Sequence, residues 1–303
     1  MPRVIACDAT DSSTVEECVE AIAAAGFDSR DDESVDHAAH WLQRLGNNQH
    51  FLGDLMVREL QQRHCTASDG SAYGAQAIML SSARDGFFLR ANIWPSEADH
   101  AYRASGASSF VYELPHDHNF SFLTYGYFGP GYVSDYYEYD YEKVAGFRGE
   151  TAGLRFVERS ALTQGKLMLY RAHLDVHSQL PPASMSVSLN VMGIDDAQGW
   201  HDQYGFDPAS DRITAILNPT STETFLRVMV GLGSDEAMDL AASFGQHHPS
   251  DRLRLASFEA RALLLDTAEK DALWREAEMS GSRMVAQEAR LRRAELCGQG
   301  EWV

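Results

Sequence analysis

The sequence predicts an α+β protein in which a central antiparallel β region lies between two helical regions. Between residues 75 and 219, short runs rich in β-branched and aromatic side chains alternate with Gly and Pro, a pattern typical of a β-sandwich or β-barrel. No helical stretch separates these runs, so parallel β-α-β units are disfavoured. On both sides of this region, apolar residues recur at helical intervals. We therefore divide the chain into residues 1–70, 71–219 and 220–303.

The N-terminal region is predicted to be helical. Residues 14–25 follow a cap signal at Ser12-Ser13 and stop at Gly26, as expected for a capped helix. Residues 35–62 place apolar side chains at helical spacing. Asn47-Asn48 is a candidate break that divides this second segment into two helices.

The central region is predicted to consist of short strands joined by tight turns. Asp85-Gly86 separates the runs AQAIMLSSA and GFFLRANIW and is a hairpin signal. Gly129-Pro130-Gly131 marks a second turn, inside a tyrosine-rich part of the chain. The further predicted strands lie in SSFVYEL, NFSFLTYGYF, GYVSDYYEYD, GLRFVE, GKLMLYRA, SMSVSLNVM and RITAIL.

The region after Pro219 is predicted to hold five amphipathic helices, each with Ser, Thr or Asp near its start. Such residues cap helices because their side chains accept hydrogen bonds from the first free backbone N–H groups. Consecutive helices of this length weakly resemble HEAT-type α-hairpins. A plain helical appendage to the β region remains the alternative.

Composition limits the expected partners and location. The formal net charge is −19, with 25 Lys and Arg against 44 Asp and Glu, so neither a nucleic-acid surface nor docking on anionic lipid is expected. No run approaches the ~18 apolar residues of a membrane span. The first residues lack the apolar core of a signal peptide, and the four cysteines form no CxxC pair. We therefore expect a cytoplasmic protein with reduced thiols.

Two histidines at alternate positions are candidate metal ligands. His116 and His118 lie in the sequence PHDHNF, and the period of a strand turns both imidazoles to one face. Apolar Phe120 and Phe122 continue that face, which suits the inside of a barrel. An HxH pair is a weak signal by itself, so the interpretation depends on a further ligand.

A later segment offers that further ligand and a polar surface beside it. A predicted strand at residues 165–170 leads to His173 and His177, and either imidazole could complete the site. In residues 184–192, polar side chains, including Ser188 and Asn190, alternate with apolar ones. That polar face must meet either water or an enclosed polar cavity.

These features resemble the cupin superfamily, and the resemblance covers residues 75–215. It implies an antiparallel cupin-type β-barrel, a jelly roll, flanked by the two helical regions. His116 and His118 match the first cupin motif, which carries HxH on one strand. Phe122 and Leu123 stand where the glutamate of that motif is expected. The departure implies a three-histidine site, similar to that of thiol dioxygenases and several other oxygenases.

The passage from His177 to the next strand is similar to that of the cysteine dioxygenase branch, which favours His177 over His173 as the third ligand. Where that branch reads Ser-Leu-His, this sequence reads Ser188-Leu189-Asn190. Ser188 and Asn190 are therefore the candidate catalytic side chains beside the metal, and Asn in place of His puts thiol dioxygenase activity in question.

Two candidate substrate-binding residues complete the predicted site. Arg90 lies 26 residues before the HxH pair, in a place similar to that of the arginine that grips the substrate carboxylate in the cysteine dioxygenase branch. A guanidinium suits this role because its planar fork binds a carboxylate through two hydrogen bonds. Tyr125 opens the tyrosine-rich part of the chain, and its hydroxyl could donate a hydrogen bond to substrate.

The resemblance implies a mononuclear non-haem Fe(II) oxygenase that acts with O₂ on a small amino-acid-like or carboxylate substrate, and it leaves a homodimer open. Zn, Mn or Ni would fit the same imidazoles, so a metal-dependent isomerase or hydrolase stays open, as does a small-ligand-binding protein without catalysis. A 2-oxoglutarate hydroxylase is disfavoured because adjacent His116 and Asp117 point to opposite faces of a strand.

Overall fold

The computed structural model describes residues 2–65 and 76–298, with the side chains of residues 2–61 and 76–298. Nine α-helices and eleven strands lie in these ranges. The helices are α1 Val15–Ala25, α2 Asp32–Asn47, α3 Phe51–Cys65, α4 His100–Ser105, α5 Ser221–Gly231, α6 Asp235–His247, α7 Asp251–Ala262, α8 Thr267–Glu278 and α9 Arg283–Leu296. The strands are β1 Arg3–Val4, β2 Ala77–Met79, β3 Phe87–Trp94, β4 Phe122–Phe128, β5 Val133–Glu138, β6 Arg155–Ala161, β7 Leu167–Tyr170, β8 Asp175–Leu180, β9 Ser186–Gly193, β10 Tyr204–Asp207 and β11 Arg212–Ile216.

The chain divides into two compact units. The sheet unit comprises Met1–Asp140 and Gly153–Gln198, and the helical unit comprises Tyr141–Ala152 and Gly199–Val303. By compactness, α1 to α3 therefore group with the strands, and the β10–β11 hairpin groups with the C-terminal helices. The sequence instead places one division at residue 219, and its other division, between residues 70 and 71, lies outside the described residues.

Two antiparallel sheets make up the β part of the sheet unit. One has six strands in the order β1-β7-β4-β9-β3-β2, and the other has three in the order β6-β5-β8. Trp94 of β3, Tyr136 of β5 and Tyr170 of β7 share one buried cluster, so the inner faces of the two sheets pack together. The mixed α+β composition is confirmed. Across the described residues the strands form these separate sheets rather than the closed barrel that the sequence predicts, because the ladders do not join at the sheet edges.

The other face of the six-stranded sheet is covered by the N-terminal helices. Leu42 and Leu45 of α2 are fully buried in one cluster with Leu89, Leu123 and Leu189 of the sheet. Thr14 caps α1 with a reciprocal capping box to Glu17, which satisfies backbone donors at both ends of the first turn. The predicted break at Asn47-Asn48 is confirmed, since α2 ends at Asn47.

Two predicted turns occur as expected. Asp85 and Gly86 both have positive φ, 49° and 80°, the conformation of a type I′ hairpin turn, and they join β2 to β3. Gly131 has φ 79°, and a Cβ there would lie 1.8 Å from the carbonyl oxygen of Leu162. Glycine is needed at this second turn because any side chain would collide with backbone.

The helical unit has its own core. Phe258, Trp274 and Val285, from three successive helices, are buried together. The buried Arg252 of α7 donates to Asp202 at 2.6 Å, which ties the segment before β10 to the helices. No helix of the described residues is long and apolar enough to cross a membrane.

Candidate metal centre

Three histidines from two distant stretches meet inside the sheet unit. His177 lies on β8, and His116 lies in the segment that precedes β4. The His116 N–H donates to the His177 carbonyl at 3.0 Å, and the His177 N–H donates to the His116 carbonyl at 2.9 Å. This pair of hydrogen bonds fixes the backbone of both stretches, so the two imidazoles project from one rigid bridge.

The nitrogens of the three imidazoles lie close together. Nε2 of His118 lies 3.0 Å from Nε2 of His177, and one nitrogen from each of His116, His118 and His177 lies within 4.8 Å of the others. The three side chains are 4%, 9% and 1% exposed. The sequence prediction that these histidines come together is thus met by the geometry.

The donor set fits a divalent first-row ion. Metal–imidazole bonds of ~2.0–2.1 Å place two ligand nitrogens of one ion roughly 3 Å apart, close to the observed 3.0 Å between His118 and His177. Nδ1 of His116 lies 2.7 Å from the Leu114 carbonyl, so Nδ1 carries the proton and Nε2 has its lone pair free. Such an outer hydrogen bond fixes the tautomer of a metal-binding histidine.

Burial keeps all three imidazoles neutral. Loss of solvent lowers the pKa of His116 below its ordinary value, and only its hydrogen bond to Leu114 opposes the shift. Burial holds the pKa of His118 and of His177 well below the ordinary value, and the neighbouring imidazoles add to the effect. Neutral imidazole is the form that binds metals, so at neutral pH the site needs no deprotonation to accept an ion.

Aromatic side chains enclose the histidines. Phe120 and Phe122 lie 4.9 and 5.0 Å from the His118 ring, measured between centroids. Tyr170 lies 4.8 Å from the His177 ring and stacks on Phe122 at 4.5 Å. The Tyr170 hydroxyl lies 3.0 Å from that of Tyr136, and burial raises the pKa of both phenols. Both tyrosines are therefore protonated, and their hydroxyls are hydrogen-bonding groups in a buried aromatic wall beside the histidines.

A row of polar side chains crosses the inner face of the six-stranded sheet. Arg90 of β3 pairs in register with Asn190 of β9, which pairs with Thr124 of β4. Cross-strand neighbours on one face lie about 4.5–5.5 Å apart, so the three side chains form a continuous line. Ser188, one step along β9, accepts from the Trp94 indole at 3.0 Å.

Several polar atoms on these inner faces are buried without a hydrogen-bond partner among the described residues. They include Oδ1 of Asn92, Oγ1 of Thr124 and Oε1 of Gln179. A buried unsatisfied polar atom costs about 1–3 kcal/mol, so the inner face is suited to water or a polar ligand. The polar face predicted for residues 184–192 thus belongs to the buried interior rather than to the surface, with Ser188 and Asn190 1% and 3% exposed.

The structure separates two predicted residues from the histidines. Tyr125 projects from the opposite face of β4 into the cluster beneath α2, where its ring lies against Gly46. The alternation of the strand explains this position, since Tyr125 follows the inward-facing Thr124 directly. His173 has φ 61°, and its N–H donates to the His118 carbonyl at 2.9 Å. It supports the site through its backbone, whereas His177 is the member of the cluster.

Three buried polar residues of the sheet unit carry no strong sequence signal. Gln179, two positions after His177, shares its face of β8, and Thr124 shares the face of Phe122; the alternation that placed the histidines could have found both. Asp117 is fully buried and accepts from the Tyr139 hydroxyl at 2.6 Å. This contact holds the peptide between His116 and His118, and only tertiary structure reveals it.

No protein-family model matches the chain, and no curated protein matches it either. Among solved structures, it is similar to the DMSP lyase DddQ from Ruegeria pomeroyi, with 12% identity and a TM-score of 0.23 over 42% of this chain and 53% of that one. The chain thus matches only about half the length of that lyase. A hydroquinone 1,2-dioxygenase from a Sphingomonas species matches with 7% identity and a TM-score of 0.26, over 41% of this chain and 70% of that one. A cupin domain from Bordetella pertussis matches with 12% identity and a TM-score of 0.23, over 41% of this chain and all of that one, 100%. Scores this low assign neither a family nor an activity to this chain.

Proposed function

We propose that this protein is a mononuclear metal-dependent enzyme of the cupin type, in which His116, His118 and His177 hold Fe(II) and a small carboxylate or amino-acid-like substrate is oxygenated with O₂. The observation that carries the proposal is the convergence of three buried, neutral imidazoles on one point. Buried polar groups without such a role are costly, and one shared ion could satisfy three imidazoles whose nitrogens lie within 4.8 Å of one another.

The donor set explains why a reactive ion is proposed rather than a structural one. Structural zinc sites are closed by four protein ligands, whereas catalytic sites keep a position open. Three neutral ligands also leave the full charge of a divalent ion uncompensated. Fe(II) held in this way would supply open coordination positions and redox chemistry for O₂ and an anionic substrate.

Arg90 is the proposed anchor for the substrate carboxylate. It lies on the inner face of the six-stranded sheet, and its charge is near enough to lower the pKa of His118. A guanidinium can hold a carboxylate through two parallel hydrogen bonds. Asn190 and Ser188 continue the same inner face, where an amide and a hydroxyl can orient the rest of a small polar substrate.

The aromatic wall is proposed to exclude water from the reacting groups. Phe120 and Phe122 pack against the His118 ring, and Tyr170 packs against the His177 ring. A water-poor site strengthens the attraction between the ion, Arg90 and an anionic substrate, because charges interact more strongly at low dielectric. The wall would therefore raise both affinity and selectivity for anions.

Elemental analysis of protein purified without added metal, followed by an O₂-uptake screen against amino acids and other small carboxylates, tests the proposal. We expect one iron per chain and O₂ consumption with at least one carboxylate. Stoichiometric zinc or manganese without O₂ uptake would replace the oxygenase with a metal-dependent isomerase or hydrolase. A protein with no affinity for any of these ions would leave only a small-ligand-binding role.

A further inference from the structure

Gln179 lies at the edge of the histidine cluster, on the same strand face as His177. Its Nε2 is 3.4 Å from Nε2 of His177, and its side chain is 4% exposed. On β5 it pairs in register with Ser134, just as His177 pairs with Tyr136. The carboxamide is therefore buried inside the sheet unit, next to the imidazole of His177.

Two observations indicate that this amide faces a ligand. Oε1 of Gln179 is buried without a hydrogen-bond partner among the described residues, and an orphaned buried oxygen is unfavourable unless something else binds it. The 3.4 Å between the amide end and the imidazole nitrogen is also close to the 3.0 Å between His118 and His177. Both spacings suit two atoms that share one ion at ~2.0–2.2 Å.

We propose that Gln179 is a fourth ligand of the ion held by the three histidines, binding through its amide oxygen. The inference rests on the proposed metal site and goes beyond it, because it adds a residue outside the histidine set. A half-turn about the last side-chain bond exchanges Oε1 with Nε2, so the oxygen reaches the position next to His177 without any change of backbone or volume.

A neutral fourth ligand has a chemical consequence. A carboxylate at this place would cancel part of the charge of a divalent ion, whereas an amide oxygen anchors the ion and leaves its charge intact. An octahedral ion held by four protein ligands still keeps positions open, unlike a closed tetrahedral zinc site, and these positions favour anionic over neutral ligands. Gln179 would thus hold the ion in place and, together with Arg90, bias the site toward anions.

The inference is tested by metal binding alone, without substrate or O₂. Titration of the metal-free protein with Co²⁺ gives a Kd, and the visible absorption of bound Co²⁺ reports the ligand set. In Gln179→Leu and Gln179→Asn we expect the Kd to rise by about 10- to 100-fold, the range seen when groups that support a metal site are removed, together with altered cobalt bands. Gln179→Glu keeps an oxygen at the same place and should bind Co²⁺ at least as tightly as the wild type.

Thr124→Val is the matched control. Thr124 is also a buried inner-face residue with an unpartnered oxygen, but it projects from the six-stranded sheet, so the Kd and cobalt bands of this variant should equal those of the wild type.

Wild-type Kd and cobalt bands in both Gln179→Leu and Gln179→Asn would overturn the inference while leaving the three-histidine site intact. Failure of the wild type to bind Co²⁺ would instead overturn the proposed function and this inference with it. Circular dichroism of each metal-free variant verifies folding, and Gln179→Asn keeps a polar amide should the leucine variant misfold.

Discussion

The two faces of the six-stranded sheet are built from the same strands and have opposite characters. On the face toward α1 and α2, Leu89, Leu123 and Leu189 are buried among helical side chains. On the inner face, Thr124 directly follows Leu123 and Asn190 directly follows Leu189, and both polar side chains are equally buried. Burial therefore does not distinguish the faces; what differs is whether the buried side chains are apolar or polar.

Within a single strand, the side chains on one face therefore stabilise the fold, and those on the other face can serve function. Apolar burial contributes roughly 25 cal/mol per Å², so the helix-facing side stabilises the fold. The inner face carries a half-buried arginine with buried amides and hydroxyls, and the interior that it lines also holds the three imidazoles. These polar groups weaken the fold unless a ligand binds them. Because strand side chains alternate with a period of two, a one-residue slip would exchange the two faces, and the apolar side therefore fixes the register that aligns the site.

Removal of one of the three proposed metal ligands should have the largest effect on function. His118→Ala should abolish both metal uptake and O₂ consumption, because two imidazoles cannot hold the ion in a defined geometry. Elemental analysis and O₂ uptake of purified protein measure the effect. His173→Ala is the control, since His173 contacts the site through its backbone and should retain metal. Full activity in His118→Ala would remove the proposed site.

The helix-facing side should respond in stability rather than in metal binding. Leu189 is fully buried on β9, directly beside the inward-facing Asn190. Leu189→Ala should lower the free energy of unfolding by about 2–5 kcal/mol, the cost of lost burial plus a cavity, as measured by urea denaturation. The folded variant should still bind Co²⁺ with the wild-type Kd. A weakened Kd would mean that the two faces are not independent.

The contact between α2 and the sheet gives a smaller effect of the same kind. A Cβ at Gly46 would lie 2.1 Å from Cε1 of Tyr125, so Gly46→Ala should destabilise the protein by about 1–3 kcal/mol through overpacking. Gly53 on α3 has nothing within 4 Å of its added Cβ. Gly53→Ala should therefore be stabilising by roughly 0.5–1 kcal/mol. Equal effects of the two substitutions, compared by thermal unfolding, would contradict the packing argument.

The elements of the fold could be predicted because each depends on local signals. The Ser, Thr and Asp caps of the C-terminal helices are confirmed at Ser234, Ser250 and Asp266, among others. The hairpin at Asp85-Gly86 follows from the conformations that these two residues tolerate. The arrangement of the strands into two sheets instead of one closed barrel depends on long-range pairing, and no local pattern encodes it.

For the site, the alternation of side chains along a strand predicts which face each residue occupies, but not which distant segments come together. The two-residue alternation of side chains along a strand correctly placed His116 and His118 on one inward-facing side. It did the same for Ser188 and Asn190. The same alternation explains the position of Tyr125. Because Tyr125 directly follows the inward-facing Thr124 on β4, its side chain points to the opposite face of the sheet, toward α2. The choice between His173 and His177, and the contact between Asp117 and Tyr139, depend on which distant segments meet, so sequence periodicity could not decide them.

The buried histidines also predict a gradual acid sensitivity of the metal-free protein. Each has an ordinary pKa of 6.5 that burial lowers in the folded state. Below pH 6.5 the unfolded chain therefore binds more protons than the folded one, and the free energy of unfolding must fall as the pH falls. The slope for each such histidine approaches about 1.4 kcal/mol per pH unit.

Urea denaturation of chelator-treated protein between pH 7.5 and pH 5, values chosen to bracket the ordinary histidine pKa, measures this slope. His177→Phe removes one titrating group and keeps an aromatic ring beside Tyr170, so its slope should be shallower. Carboxylates whose pKa is lowered by ion pairing, such as Asp271 beside Arg293, lose their contribution only below their ordinary value of 3.8 and fall outside this window. An equal slope in wild type and His177→Phe would show that burial does not keep the His177 imidazole neutral. The electrostatic reason why the histidines are ready to bind a metal would then be lost as well.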